Sequence, residues 1–89
     1  MKKLSQKTTM YSLKDGFLLI TIENDRLNGY PCHSALLGHE GYGIWESICG
    51  VDATTTTFEE YLAMVEKTID EDIAFFVEEH PGCLDSLPM

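Results

Sequence analysis

A periodic apolar stripe in the last third of the chain constrains its fold more than any other feature. Phe58, Leu62, Val65, Ile69, Ile73 and Phe76 recur three or four residues apart, flanked by Tyr61 and Val77. This is the repeat of an amphipathic α-helix with one face on a core. Its start is marked: Thr57 with Glu60 fits a capping box, and Thr56 with Glu59 fits it one residue earlier. Pro81-Gly82 marks its stop. From Phe58 to Glu79 such a helix would run about 33 Å at about 1.5 Å per residue. That is long for a chain of 89 residues, so a kink is expected near 68–70.

A helix with one apolar stripe needs a second layer to cover it, and the N-terminal half supplies strands. Thr8–Leu13 and Phe17–Glu23 are rich in β-formers, and Asp15-Gly16 between them is a hairpin signal because a type I′ turn requires positive φ at both central residues. Along the second run Leu18, Ile20 and Ile22 share one face, and Phe17, Leu19, Thr21 and Glu23 the other. The first set is expected to face the core. Asn24–Pro31 holds turn formers and predicts a loop or a wider hairpin. From Cys32 to Gly50 the pattern is weaker. Ser34–Leu37 fits a short helix or a third strand, and Gly38, Gly41 and Gly43 break any long element. Ile44, Trp45, Ile48 and Cys49 fit one face of a short helix ended by Gly50, with an edge strand as the competing reading. Trp45 is expected to fill the core between sheet and helix. The fold expected is α+β in a single small domain: an antiparallel N-terminal sheet of two or three strands packed on a long acidic C-terminal helix. Residues 1–7 and 84–89 are expected to fray.

Charge narrows the function. Fifteen acids stand against six bases, a net charge of −9. Residues 1–14 carry four lysines and no acid, whereas residues 51–89 carry ten acids and only Lys67. So acidic a chain is not expected to bind nucleic acid directly, because phosphate contacts need Lys and Arg. The longest uncharged apolar run, Phe17–Ile20, is far short of the roughly 20 residues a membrane helix needs. The basic start, Met1–Lys7, has no apolar run behind it and does not read as a secretory signal. With an odd number of cysteines (Cys32, Cys49, Cys83), reduced thiols and a cytoplasmic location are expected. A chain of this size buries only about 60–65 % of its unfolded surface, so a second copy or a partner is expected to add stability.

The chemistry-bearing residues form no familiar catalytic pattern. Cys32-His33, His39, Cys49, His80 and Cys83 lack the C-x₂-C or H-x₃-H spacing of a zinc site, and neither a metal nor a cofactor is expected. Phosphate-binding glycine motifs and the G-x-S-x-G nucleophile elbow are absent. Gly38–Gly43, which holds His39 and Glu40, reads as a flexible connection. The expectation is a protein that is not an enzyme.

What remains is the wet side of the helix. Glu59, Glu60, Glu66, Asp70, Glu71, Glu78 and Glu79 fall away from the apolar stripe, with Lys67 as the only base among them. Glu66 and Asp70 form a like-charge pair four residues apart, whereas Glu–Lys pairs at that spacing would gain about 0.2–0.5 kcal/mol. Glu78 and Glu79 sit where the helix dipole is already negative, at a cost of about 0.3–1 kcal/mol each. Local costs without local compensation mark functional surfaces. A carboxylate band attracts a basic partner and speeds its docking. Tyr30 and Tyr42, beside prolines and glycines, are candidate anchors for the same contact. The function expected is a non-enzymatic acidic binding protein that inhibits a basic, nucleic-acid-handling protein such as a nuclease, as phage anti-defence proteins and some anti-CRISPRs do. The alternatives are a toxin-neutralising immunity protein and a homodimeric assembly module whose acidic face only keeps it soluble. Ile48-Cys49, Asp52, Phe58-Glu59-Glu60, Val65, Glu78-Glu79-His80-Pro81 and Asp85 are similar to the colicin DNase immunity proteins, which would imply an all-helical fold. The tyrosine pair expected after the His-Pro turn is missing, and the β-rich N-terminal half does not suit that fold, so the chain is not assigned to the family.

Overall fold

A computed structural model describes residues 6–27 and 30–83. The fold is α+β. Strands β1 (Lys7–Ser12), β2 (Phe17–Leu27), β3 (Tyr30–His39) and β4 (Glu46–Asp52) precede one helix, α1 (Phe58–Glu79). The strands form an antiparallel meander in the order β1-β2-β3-β4, with four strands where two or three were expected. Lys7, expected to fray, pairs with Glu23 in β1; the expectations for residues 1–5 and 84–89 lie outside the described residues.

The first hairpin sits at Asp15-Gly16 as expected, but its loop has three residues rather than two. Leu13 N–H donates to the Phe17 carbonyl (2.8 Å), which leaves Lys14, Asp15 and Gly16 to turn the chain. Asp15 (φ 56°) and Gly16 (φ 81°) are both left-handed. A Cβ on Gly16 would lie 2.9 Å from the His39 ring, so only glycine fits there.

The segment 32–50 is strand rather than helix over 46–49. Its glycines interrupt helical periodicity, and pairing to β3 decides the outcome, with Leu37 opposite Glu46 and Ala35 opposite Ile48. The register shifts between His33 and Ala35, where Gly50 lies close to the His33 carbonyl. The expected helix-facing set on β2 is also inverted. Phe17, Leu19 and Thr21 are buried, and Leu18, Ile20 and Ile22 lie on the far face, half-buried. Trp45 is on that far face too, packed over Gly38, where a Cβ would meet its indole at 2.5 Å.

α1 is one uninterrupted helix of 22 residues, without the expected kink. Thr57 caps it. Its hydroxyl accepts from Glu60 N–H (3.1 Å) and its own N–H donates to Glu60 Oε1 (2.9 Å). The helix packs on one face of the sheet through two adjoining clusters. Phe17, Leu37, Ile73, Phe76 and Cys83 make one; Leu19, Ala35, Tyr61 and Val65 make the other, with Ile48 and Ile69 touching both.

Candidate interaction surface

α1 carries most of the residues that sequence reasoning singled out, and helical geometry sorts them into two rows. At about 100° per residue, Glu59, Glu66 and Asp70 fall within about 40° of one another, on the flank toward β1. Glu60, Glu71 and Glu78 form a second row about 100° further round, with Ala63, Lys67 and Ala74 between the two. Glu79 belongs to neither row. All seven acids are exposed.

Compensation is sparse. Lys14 Nζ reaches Asp70 Oδ1 at 3.3 Å, the only ion pair between a lysine or arginine and an acid among the described residues. Both side chains are largely in solvent, so the pair adds about 0–1 kcal/mol. Glu60 spends one oxygen on the cap of its own helix. The last turn of α1 holds no basic residue against Glu78 and Glu79. The first row borders a concavity of about 220 Å³ lined by Tyr11, Leu13, Leu19, Leu62, Val65 and Ile69, with Glu66 at its edge. An apolar groove edged by a carboxylate suits a partner that presents apolar and basic groups together.

The two tyrosines differ. Tyr30 is 75 % exposed at the start of β3, free to act as an anchor. Tyr42 is half-buried against Phe76 and His80, with ring centroids 6.2 and 5.5 Å away, so it is committed to the fold.

Sequence reasoning did not foresee what the histidines do. His33 and His39 are 2 % and 1 % exposed. In His33, Nδ1 accepts from Asn24 N–H (3.2 Å), so Nε2–H donates to the Thr56 carbonyl (3.0 Å). In His39, Nδ1 accepts from Gly41 N–H (3.2 Å) and Nε2–H donates to the Asp15 carbonyl (2.8 Å). Each imidazole therefore spends both nitrogens on backbone and leaves none for a metal or a proton transfer. His80, the C-cap of α1, lies tilted against Phe76 with ring centroids 4.8 Å apart. It donates from Nε2 to Glu46 Oε1 (3.1 Å) and accepts at Nδ1 from Tyr42 (3.5 Å), tying β4 and the β3–β4 loop to the helix end. No signal in the sequence marks this chain of contacts, since its members lie 34 and 38 residues apart. Among the described residues no group of three His, Cys, Asp or Glu side chains could hold a metal ion, and no helix is long and apolar enough to cross a membrane.

Two titrating groups are displaced. Burial, reinforced by Cys49, Cys32 and Asp72 nearby, pushes the Tyr61 phenol up to about 12; its hydroxyl donates to the Cys49 carbonyl (3.0 Å). The Thr54 hydroxyl and N–H, at 2.7 and 2.8 Å from Asp52 Oδ1, hold the Asp52 carboxyl below its ordinary range. Comparison with family models, with curated proteins and with solved structures finds no match.

Proposed function

We propose that this chain is a non-enzymatic acidic binding protein that inhibits a basic, nucleic-acid-handling protein by occupying its nucleic-acid groove. The observation that carries this reading is the pair of carboxylate rows on the exposed side of α1, offset by Lys67 between them and by Lys14 at Asp70. The seven exposed acids from Glu59 to Glu79 span about 30 Å, one per roughly 4 Å of helix axis. Duplex DNA carries one phosphate charge per about 1.7 Å. The helix therefore imitates the sign of a nucleic acid and not its charge density, and the groove with Tyr11, Leu13 and Leu62 supplies apolar contact that a phosphate backbone lacks. Inhibition of a host defence nuclease and neutralisation of a nuclease toxin both use this surface in the same way.

The test is salt-dependent capture of basic nucleases on the immobilised chain, with duplex DNA as competitor. Glu59→Lys, Glu66→Lys and Asp70→Lys together should abolish capture and leave the thermal midpoint within a few degrees. A nuclease held equally well by the reversed chain, or one that high salt and DNA fail to displace, would exclude this reading.

A further inference from the structure

We infer that the outer edge of β1, with the groove between it and α1, takes up an extended basic segment of the partner protein as a fifth strand. This rests on the reading of the carboxylate rows as a docking surface and names what docks there.

The two edges of the sheet differ. β4 is bulged between the partners of His33 and Ala35, and its Cys49 carbonyl is taken by the Tyr61 hydroxyl (3.0 Å). A bulge and an occupied carbonyl blunt an edge against further pairing. β1 has neither. Its register with β2 is unbroken from Lys7 opposite Glu23 to Ser12 opposite Leu18, and among the described residues no strand lies beyond it. The Leu13 N–H donates to the Phe17 carbonyl (2.8 Å), and the Thr9 carbonyl accepts from the Thr21 hydroxyl (3.5 Å), so the odd-numbered residues of β1 turn their backbone groups toward β2. By the same alternation Thr8, Met10 and Ser12 turn theirs outward. All three are exposed. Their N–H and C=O groups are a template for one more strand.

The groove selects the side chains of that strand. Every second residue of a strand paired to β1 points to the α1 side. There it meets the concavity of about 220 Å³ walled by Tyr11, Leu13, Leu62 and Ile69, with Glu66 at its edge. Glu59 and Glu66, on the flank of α1 toward β1, stand about 10 Å apart along the helix with Leu62 midway between them. Neither is in an ion pair with a lysine or arginine among the described residues. Strand residues four apart span about 13 Å. Two basic residues at that spacing, with an apolar residue midway, put an aliphatic side chain on Leu62 and a cation beside each carboxylate. The stems of the Lys or Arg side chains cover the apolar walls on the way.

Charge argues against a second copy in this place. Two β1 strands paired antiparallel about a two-fold axis set both helices on the same side of the joint sheet. The flanks that carry Glu59, Glu66 and Asp70 would then face each other, in a chain of net charge −9.

The probe is a fluorescein-labelled peptide, Thr-Arg-Thr-Val-Thr-Arg-Thr, titrated with the full chain and followed by anisotropy. Saturable binding below about 1 mM is expected. It should weaken at least tenfold when both arginines of the peptide are replaced by glutamate, and likewise with Glu59→Lys and Glu66→Lys together in the chain. Main-chain pairing has its own signature. N-methylation at one alternate set of peptide residues should abolish binding and at the other set leave it within about twofold, because only one set turns its N–H toward β1. Met10→Pro removes an outward N–H at an edge, where proline is tolerated, and should weaken binding at least tenfold. If Met10→Pro does not fold, the two N-methylated peptides decide. The Thr8, Met10 and Ser12 amides should exchange rapidly in the free chain and slowly with peptide bound. No binding at about 1 mM, or equal effects of the two N-methylated sets, overturns the inference. So does protection of those amides without peptide: in a dimer the edge belongs to a second copy, in a monomer to another segment of this chain. Capture of a nuclease that survives Met10→Pro and is lost on charge reversal of α1 keeps the reading of the helix and removes this one. Peptide binding with no nuclease captured does the reverse.

Discussion

The two faces of β2 are built from alternate residues of one short run and meet different fates. Phe17, Leu19 and Thr21 lie under α1, at 2 %, 6 % and 0 % exposure, while Leu18, Ile20 and Ile22 face away. By composition the second set is the more apolar of the two, since Thr21 places a hydroxyl on the covered side. Hydrophobicity alone therefore selects the wrong face. The covered side wins on shape. Phe17 meets Phe76 and His39 edge-on at 5.9 and 4.9 Å, and the Thr21 hydroxyl bonds back to the Thr9 carbonyl (3.5 Å). The lesson is that a strand apolar on both faces belongs to a sheet with something to cover on both sides, and α1 can cover only one.

The largest effect that could break this contrast comes from matched truncations. Phe17→Ala should cost about 3–5 kcal/mol, the range for emptying an aromatic site in a core. Ile20→Ala, on the neighbouring face of the same strand, should cost under about 1.5 kcal/mol. Chemical denaturation of the two variants measures the difference. Equal losses would mean that both faces are packed within a single copy and that the far side is no free surface.

How much of this was legible in the sequence follows from which forces are local. The limits of α1 could be read because capping and periodicity act within a few residues: the Thr57–Glu60 box and the Phe58-to-Phe76 stripe needed no tertiary context. The hairpin at Asp15-Gly16 could be read for the same reason, though not its three-residue loop, which depends on His39 reaching the Asp15 carbonyl from 24 residues away. Over β4 the sequence favours a helix with an edge strand as the alternative, because Ile44, Trp45 and Ile48 fit both, and pairing with Leu37 and Ala35 breaks the tie. The side that α1 covers is set by the crossover after β4, where His33 holds the Thr56 carbonyl (3.0 Å). A histidine that anchors a loop has no sequence signature. The acids of the candidate surface were legible one by one. Their division into two rows follows only once the helix is known to be continuous.

A smaller effect sharpens the contrast from the covered side. Tyr61 is 1 % exposed and ties α1 to the bulged edge strand through the Cys49 carbonyl. Its phenol titrates at about 12 in the folded chain and near 10 when unfolded. The folded state thus holds the proton over a range where the unfolded state releases it. Stability from this group is whole below about pH 10 and is lost as pH rises from about 10 to about 12. Tyr61→Phe should cost about 1–2 kcal/mol at pH 7 through the orphaned carbonyl, and should lose stability less steeply than the wild type above pH 10. Thermal melts at pH 8, 10 and 11 read both terms. Parallel pH profiles for the two proteins would mean that the hydroxyl is hydrated and the edge of the covered face is open.

The smallest effect belongs to the turn that carries the chain from the sheet to the covered side. Asp52 accepts from the Thr54 N–H and hydroxyl, and both bonds favour the carboxylate. With its folded pKa depressed, Asp52 contributes stability that is present above the ordinary carboxylate range and is lost as pH falls through the lowered value. Asp52→Asn keeps an acceptor oxygen but removes the charge. The variant should melt slightly below the wild type at pH 6, and the two melting curves should converge in strong acid. Because the carboxylate is fully exposed, the gap at pH 6 should also shrink in high salt. A gap that persists unchanged into acid would mean that the asparagine disturbs the turn itself. The crossover to the covered face would then rest on backbone geometry and the His33–Thr56 bond rather than on this charge.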